Sequence, residues 1–137
     1  MPLFTDEAEV YEYLGRIFEI GTKKEGLADR LASSGVVLRI HYTDPDAVVT
    51  VDLPQKVVET GADSTATPTI ELFMSADTGN SFWLGQVNLP VAMTRGKVRA
   101  KGPTTKLLKL LPAAKELYPE YRQLLVDRGR EDLLNAA

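Results

Sequence analysis

Apolar and polar side chains change their period several times along the chain, and each change marks an element. Near the start, Val10, Leu14, Ile17, Phe18 and Gly21 recur at helical spacing, which predicts a helix with one face on the core. Asp6 and Glu9 stand at capping-box spacing before it, with acids in the first turn where they meet the positive end of the helix dipole. A shorter helix is expected over residues 26–33, with Leu27 and Leu31 one turn apart, ending at Ser34-Gly35. Over residues 36–42 the period falls to two: Val36, Leu38, Ile40 and Tyr42 share one face, Arg39 and His41 the other. Asp44-Pro45-Asp46 is turn chemistry, so residues 48–53 return as the second strand of a hairpin. Residues 56–59 predict a third, weaker strand, and residues 60–68 a polar loop without periodicity.

The stretch 69–111 is denser. Residues 69–74 set Ile70, Leu72 and Met74 against Thr69, Glu71 and Phe73, a strand with one strongly apolar face. Ser75 and Asp77 then cap a helix that closes with Phe82, Trp83 and Leu84 before Gly85, the residue type that best tolerates a left-handed helix stop. A turn of helix around Pro90 to Met93 leads to the turn Arg95-Gly96-Lys97 and to a last strand over residues 97–101 that alternates basic and apolar. Gly102-Pro103 ends the strand, and Thr104 or Thr105 is expected to cap a helix carrying Leu107, Leu108, Leu110 and Leu111. Pro112 and Pro119 divide the remainder into short helices over 113–118 and 120–127, with a loosely docked tail after Gly129. Read together, the elements predict an α+β domain spanning residues 1–137, an about five-stranded, mainly antiparallel sheet with helices packed on one face.

Within the central stretch, Gly85, Asn88, Ala92, Gly96, Lys97 and Gly102 fall at intervals that match a family pattern without a gap. The frame resembles the type-2, nonspecific lipid-transfer branch of the sterol carrier protein family, which sets it between a strand and a leucine-rich helix. It departs from that pattern twice: Asn88-Leu89-Pro90 stands for the family's Asn-Pro, and Pro103 follows the last glycine in place of Asp or Asn. The resemblance implies a sheet and helices that enclose an apolar cavity, and a small soluble protein that holds a sterol, fatty acyl or isoprenoid-type lipid there. Phe18, Leu72, Met74, Phe82, Trp83, Met93, Leu108 and Leu111 are the residues expected on the cavity wall. An alternative is a non-catalytic accessory module that presents a lipid intermediate to a partner enzyme.

Charge changes this picture more than composition does. The net charge of −3 conceals a division, because between Thr78 and Lys115 there is no Asp or Glu. That segment carries Arg95, Lys97, Arg99, Lys101, Lys106, Lys109 and Lys115 and is +7, leaving −10 for the rest. Two readings stay open: Lys97, Arg99 and Lys101 protect an edge strand from pairing, or Arg95, Lys97, Arg99, Lys101, Lys106 and Lys109 dock on an anionic membrane or an acidic protein. Nucleic acid is not expected, since no aromatics interleave with these charges as a base-stacking platform requires.

Candidate chemistry is sparse. The absence of cysteine excludes disulfides, thiolate zinc sites and cysteine nucleophiles. His41 is the sole histidine and is expected to face solvent. There is no Gly-x-Ser-x-Gly elbow, and Gly96-Lys97 precedes a strand where a phosphate-binding loop would precede a helix. No enzymatic activity, metal or cofactor is therefore expected. A cytoplasmic location is the default expectation, with an acidic N-terminus and no apolar run long enough to span a bilayer.

Overall fold

The computed structural model describes residues 2–136. The first helix, α1 (residues 7–23), contains one wide π-type turn at Tyr11–Gly15. Asp6 caps it, its Oδ1 accepting the Glu9 N–H at 2.9 Å, while Glu9 reaches back to the Thr5 hydroxyl. Then come α2 (Leu27–Ala32), β1 (Val37–Thr43), β2 (Ala47–Asp52), β3 (Val57–Thr60) and β4 (Ile70–Ser75). The remainder is α3 (Ala76–Trp83), α4 (Leu89–Thr94), β5 (Arg99–Lys101), α5 (Thr104–Lys109), α6 (Leu111–Lys115), α7 (Tyr118–Asp127) and α8 (Glu131–Leu134).

The sheet order is β3-β2-β1-β4-β5, antiparallel throughout except for the parallel pair β1 and β4. This is the expected α+β architecture. The parallel register sets Leu38, Ile40 and Tyr42 beside Ile70, Leu72 and Met74, so the two most apolar strand faces lie together at the centre of the inner face. To reach that position the chain crosses from β3 over the outer face, and the polar loop 61–69 is what crosses. Arg39 holds it there, donating from Nη2 to the Ala66 carbonyl at 2.8 Å and from Nε to the Thr50 hydroxyl at 3.1 Å. Beneath the loop Thr50, a polar residue on the outer face, is buried. Where the loop enters β4, Gly102 is obligatory, because a Cβ there would stand 2.4 Å from the Thr69 carbonyl oxygen.

Val10, Leu14 and Ile17 of α1 are fully buried where that helix packs on the sheet, and Tyr121 and Leu125 of α7 join the same core from behind α1. Gly79 lets α3 approach the sheet, since its Cβ would fall 2.9 Å from the Tyr42 ring. Two sequence expectations are corrected. The segment after Gly129 is not loosely docked: Leu133 is fully buried, and Asn80 Nδ2 donates to its carbonyl at 3.0 Å while Tyr121 Oη donates to Asn80 Oδ1 at 2.6 Å. A buried asparagine needs such partners, and the tail supplies one of them. Nor does Thr104 or Thr105 cap α5. The N-cap is Pro103, whose side chain has no acceptor, so the first N–H groups of that helix lack a side-chain partner. Among the described residues no helix is long and apolar enough to cross a membrane.

Candidate functional site

Between the inner face of the sheet and the helices lies an apolar pocket of about 90 Å³. Its floor is the alternation of the two central strands: Leu38, Ile40 and Tyr42 of β1 with Leu72 and Met74 of β4. Phe18 from α1, Leu31 from α2 and Phe82 and Trp83 from α3 form the sides. The remaining side is the segment 107–117, through Leu107, Leu110, Leu111, Ala114 and Leu117. These positions follow i, i+3, i+4, i+7 spacing, one face of a nearly continuous helical path.

Trp83 stands at the centre of an aromatic cluster. Phe18, Phe82 and Tyr118 meet it edge to face, with centroids 5.4, 5.1 and 6.2 Å away. Thr22 is a buried polar residue on the wall, and its hydroxyl is already committed to the Glu19 carbonyl at 3.1 Å. Burial pushes the Tyr42 phenol well above its ordinary pKa, so it stays neutral. A lining of this kind offers dispersion contact and no charge, which suits an aliphatic or polycyclic hydrocarbon and repels an ion.

Six of the eight wall residues expected from sequence line the pocket: Phe18, Leu72, Met74, Phe82, Trp83 and Leu111. Met93 and Leu108 do not. On α4 the inward positions are Leu89 and Ala92, and Met93 packs half-buried against the core beside them. Leu108 lies about 100° around the helix from Leu107 and is 37% exposed. The strand residues Leu38 and Ile40 belong to the wall and carried a legible signal, the same alternation that selected Leu72 and Met74.

All six docking candidates are exposed, and none of them forms an ion pair among the described residues. They do not form one surface. Arg99 and Lys101 lie on the outer face of the sheet, each 5.2 Å from the centroid of the Phe73 ring, with the sheet between them and the pocket. Lys97 sits before β5 in the turn with Arg95. Lys106 and Lys109 are on α5, beside the pocket.

His41 is not simply turned to solvent. On the outer face its Nε2 stands 2.9 Å from Glu71 Oε1 and its ring stacks on Phe73 at 4.6 Å. Parallel pairing of β1 with β4 brings these residues together, which hairpin logic did not anticipate. Among the described residues no three His, Cys, Asp or Glu side chains cluster at metal-binding distance.

No protein-family model matches the sequence, and no curated protein does. Solved structures do. The sterol carrier protein domain 2 of Helicoverpa armigera superposes with a TM-score of 0.62 at 16% identity, over 78% of this chain and 88% of that one. Sterol Carrier Protein 2 from Yarrowia lipolytica, in its apo form, gives 0.60 at 18% identity, over 79% and 98%. The UbiJ-SCP2 ubiquinone synthesis protein gives 0.56 at 13% identity, over 81% and 89%. With its five-stranded sheet, one-sided helical layer and apolar pocket between them, the chain has the sterol carrier protein 2 fold.

Proposed function

We propose that this protein binds a lipid by its apolar part in the pocket between sheet and helices and carries it without transforming it. The observation that carries this reading is the lining, hydrocarbon on every side with its polar groups internally satisfied or held neutral. The likeness to sterol carrier proteins supports it. Ligand sites are commonly about 300 Å³ or larger, so a pocket of about 90 Å³ must widen as the ligand enters. The wall with room to yield is 104–117, where two helices of six and five residues meet at Leu110 and the first lacks a side-chain cap.

Each buried methylene contributes about 0.8 kcal/mol, so a twelve-carbon chain supplies about 10 kcal/mol before association costs. An association cost of at least about 4 kcal/mol leaves at most about 6 kcal/mol, a Kd of about tens of micromolar. Titration with dodecanol, read by the fluorescence of Trp83, tests this: a saturable change is expected, and its absence up to the solubility limit contradicts the reading.

A second reading, an accessory module that presents a lipid intermediate to an enzyme, is favoured by the likeness to a ubiquinone synthesis protein. It uses the same pocket and adds a protein partner. Docking on an anionic membrane is assigned to Lys106 and Lys109, the basic residues beside the yielding wall.

A further inference from the structure

We infer that the groove between α2 and the α5–α6 pair is a phosphate subsite, so that the carried lipid is a single-chain molecule ending in a phosphate monoester. This rests on the lipid-binding reading above and specifies its ligand.

The groove has a volume of about 410 Å³ and is lined by Arg30, Ser33, Ser34, Lys106, Lys109 and Leu110, closed below by Pro112 and Ala113. Every charged residue on its walls is basic. Glu116 alone offsets them, bound to Arg30 Nη2 at 2.7 Å, and this hydrogen bond holds the Glu116 carboxyl below its ordinary range. The neighbouring acid, Asp29, is engaged by Lys56. Three cations less one carboxylate leave the groove at +2, while a phosphate monoester carries about −1.5 to −2 at neutral pH and a carboxylate only −1. Lys106 and Lys109 are exposed and without an ion pair among the described residues, so their ammonium groups are available as donors.

What ties groove to pocket is the wall they share. Leu110 lines both, and around it the two spaces are separated by adjacent residues: Arg30 faces the groove and Leu31 the pocket, Ala113 the groove and Ala114 the pocket. Leu110 sits at the junction of α5 and α6, half-buried, and its side chain is the partition that a molecule occupying both spaces would displace. A molecule lying across it keeps its chain among hydrocarbon and its phosphate among cations, so neither part is left in the wrong solvent.

Three probes separate head from tail: dodecyl phosphate, dodecanol and inorganic phosphate, each titrated into the intact protein with Trp83 as reporter and calorimetry as a second readout. Dodecyl phosphate is expected to bind about tenfold or more tighter than dodecanol, a preference that falls as salt rises. In Lys106→Glu with Lys109→Glu the preference should vanish while dodecanol affinity stays as in wild type, which also shows that the variant is folded. Equal binding of phosphate and alcohol by the wild type overturns the subsite and leaves the lipid reading standing. A preference that survives the double substitution also overturns it. Inorganic phosphate binding as tightly as dodecyl phosphate breaks the link to the pocket, and binding of neither dodecyl compound removes both readings.

Discussion

The two principal walls of the pocket are built differently. On the sheet side, Ile40 and Leu72 are 3% and 5% exposed, and β1 is hydrogen-bonded on both edges, to β2 and to β4. On the opposite side, Leu107 and Leu117 are just as buried, at 4% and 2%, but between them Leu110, Leu111 and Ala114 are only half-buried, carried by two short helices, neither with a side-chain cap. Under the proposed lipid-binding reading, a fixed ladder on one side and short uncapped helices on the other imply that a ligand is accommodated by moving residues 104–117 while the sheet stays as it is. Cores resist volume change in proportion to how completely they are packed, and the stretch Leu110 to Ala114 is the least completely packed part of the helical wall.

Substitution breaks the comparison most strongly. Leu72→Ala removes a buried side chain from the ladder and should cost about 2–5 kcal/mol in a denaturant titration. Leu111→Ala, on the loose wall, should cost about 1 kcal/mol, yet weaken dodecanol binding. Comparable losses of stability from both would show that the walls are equally packed.

High pH should act on the packed side next. Tyr42 and Tyr121 have an ordinary pKa of 10.0, and burial pushes both phenols up. Above pH 10 the unfolded chain therefore releases protons that the folded chain keeps, and stability falls as pH rises further. Thermal melts between pH 9 and 11 check this. Tyr42→Phe should make the decline shallower, whereas an unchanged pH profile in that variant would place the effect elsewhere.

Much of this asymmetry was legible in the sequence, and the exceptions have physical causes. Alternation in residues 36–42 and 69–74 identified both strands and their inward faces, because a period of two directly reports which side chains share a face. Pairing of those strands with each other was not legible, since local pattern carries no information on long-range register; with it went the His41–Glu71 contact and the role of the loop that Arg39 holds. The docking of the tail is hidden for a similar reason: what anchors it is Asn80, more than fifty residues earlier in the chain. Leu108 was assigned to the wall as one of a run of leucines, but on a helix only Leu107, Leu110 and Leu111 of that run share the inward face. The basic groove draws on α2, α5 and α6, and no single stretch contains its pattern.

The same division sharpens the reading of the charges, with a smaller effect. Near an anionic bilayer each basic residue contributes about 1 kcal/mol. Lys106→Gln with Lys109→Gln should thus weaken association with phosphatidylglycerol vesicles in flotation by on the order of thirtyfold at low salt, and the charge-reversing Glu pair by more. Arg99→Glu with Lys101→Glu, on the far face of the sheet, should change it much less. If the second pair mattered more, the outer face would be the docking surface and the basic strand more than edge protection.

The central claim, that an apolar ligand enters by displacing one wall, is tested most directly by mapping amide chemical shifts while isotopically labelled protein is titrated with dodecanol. Saturable shifts concentrated in residues 104–117 and at Trp83, with β2 and β3 unmoved, are the predicted result. Shifts confined to the outer face around His41 and Phe73, or none that saturate, would contradict it.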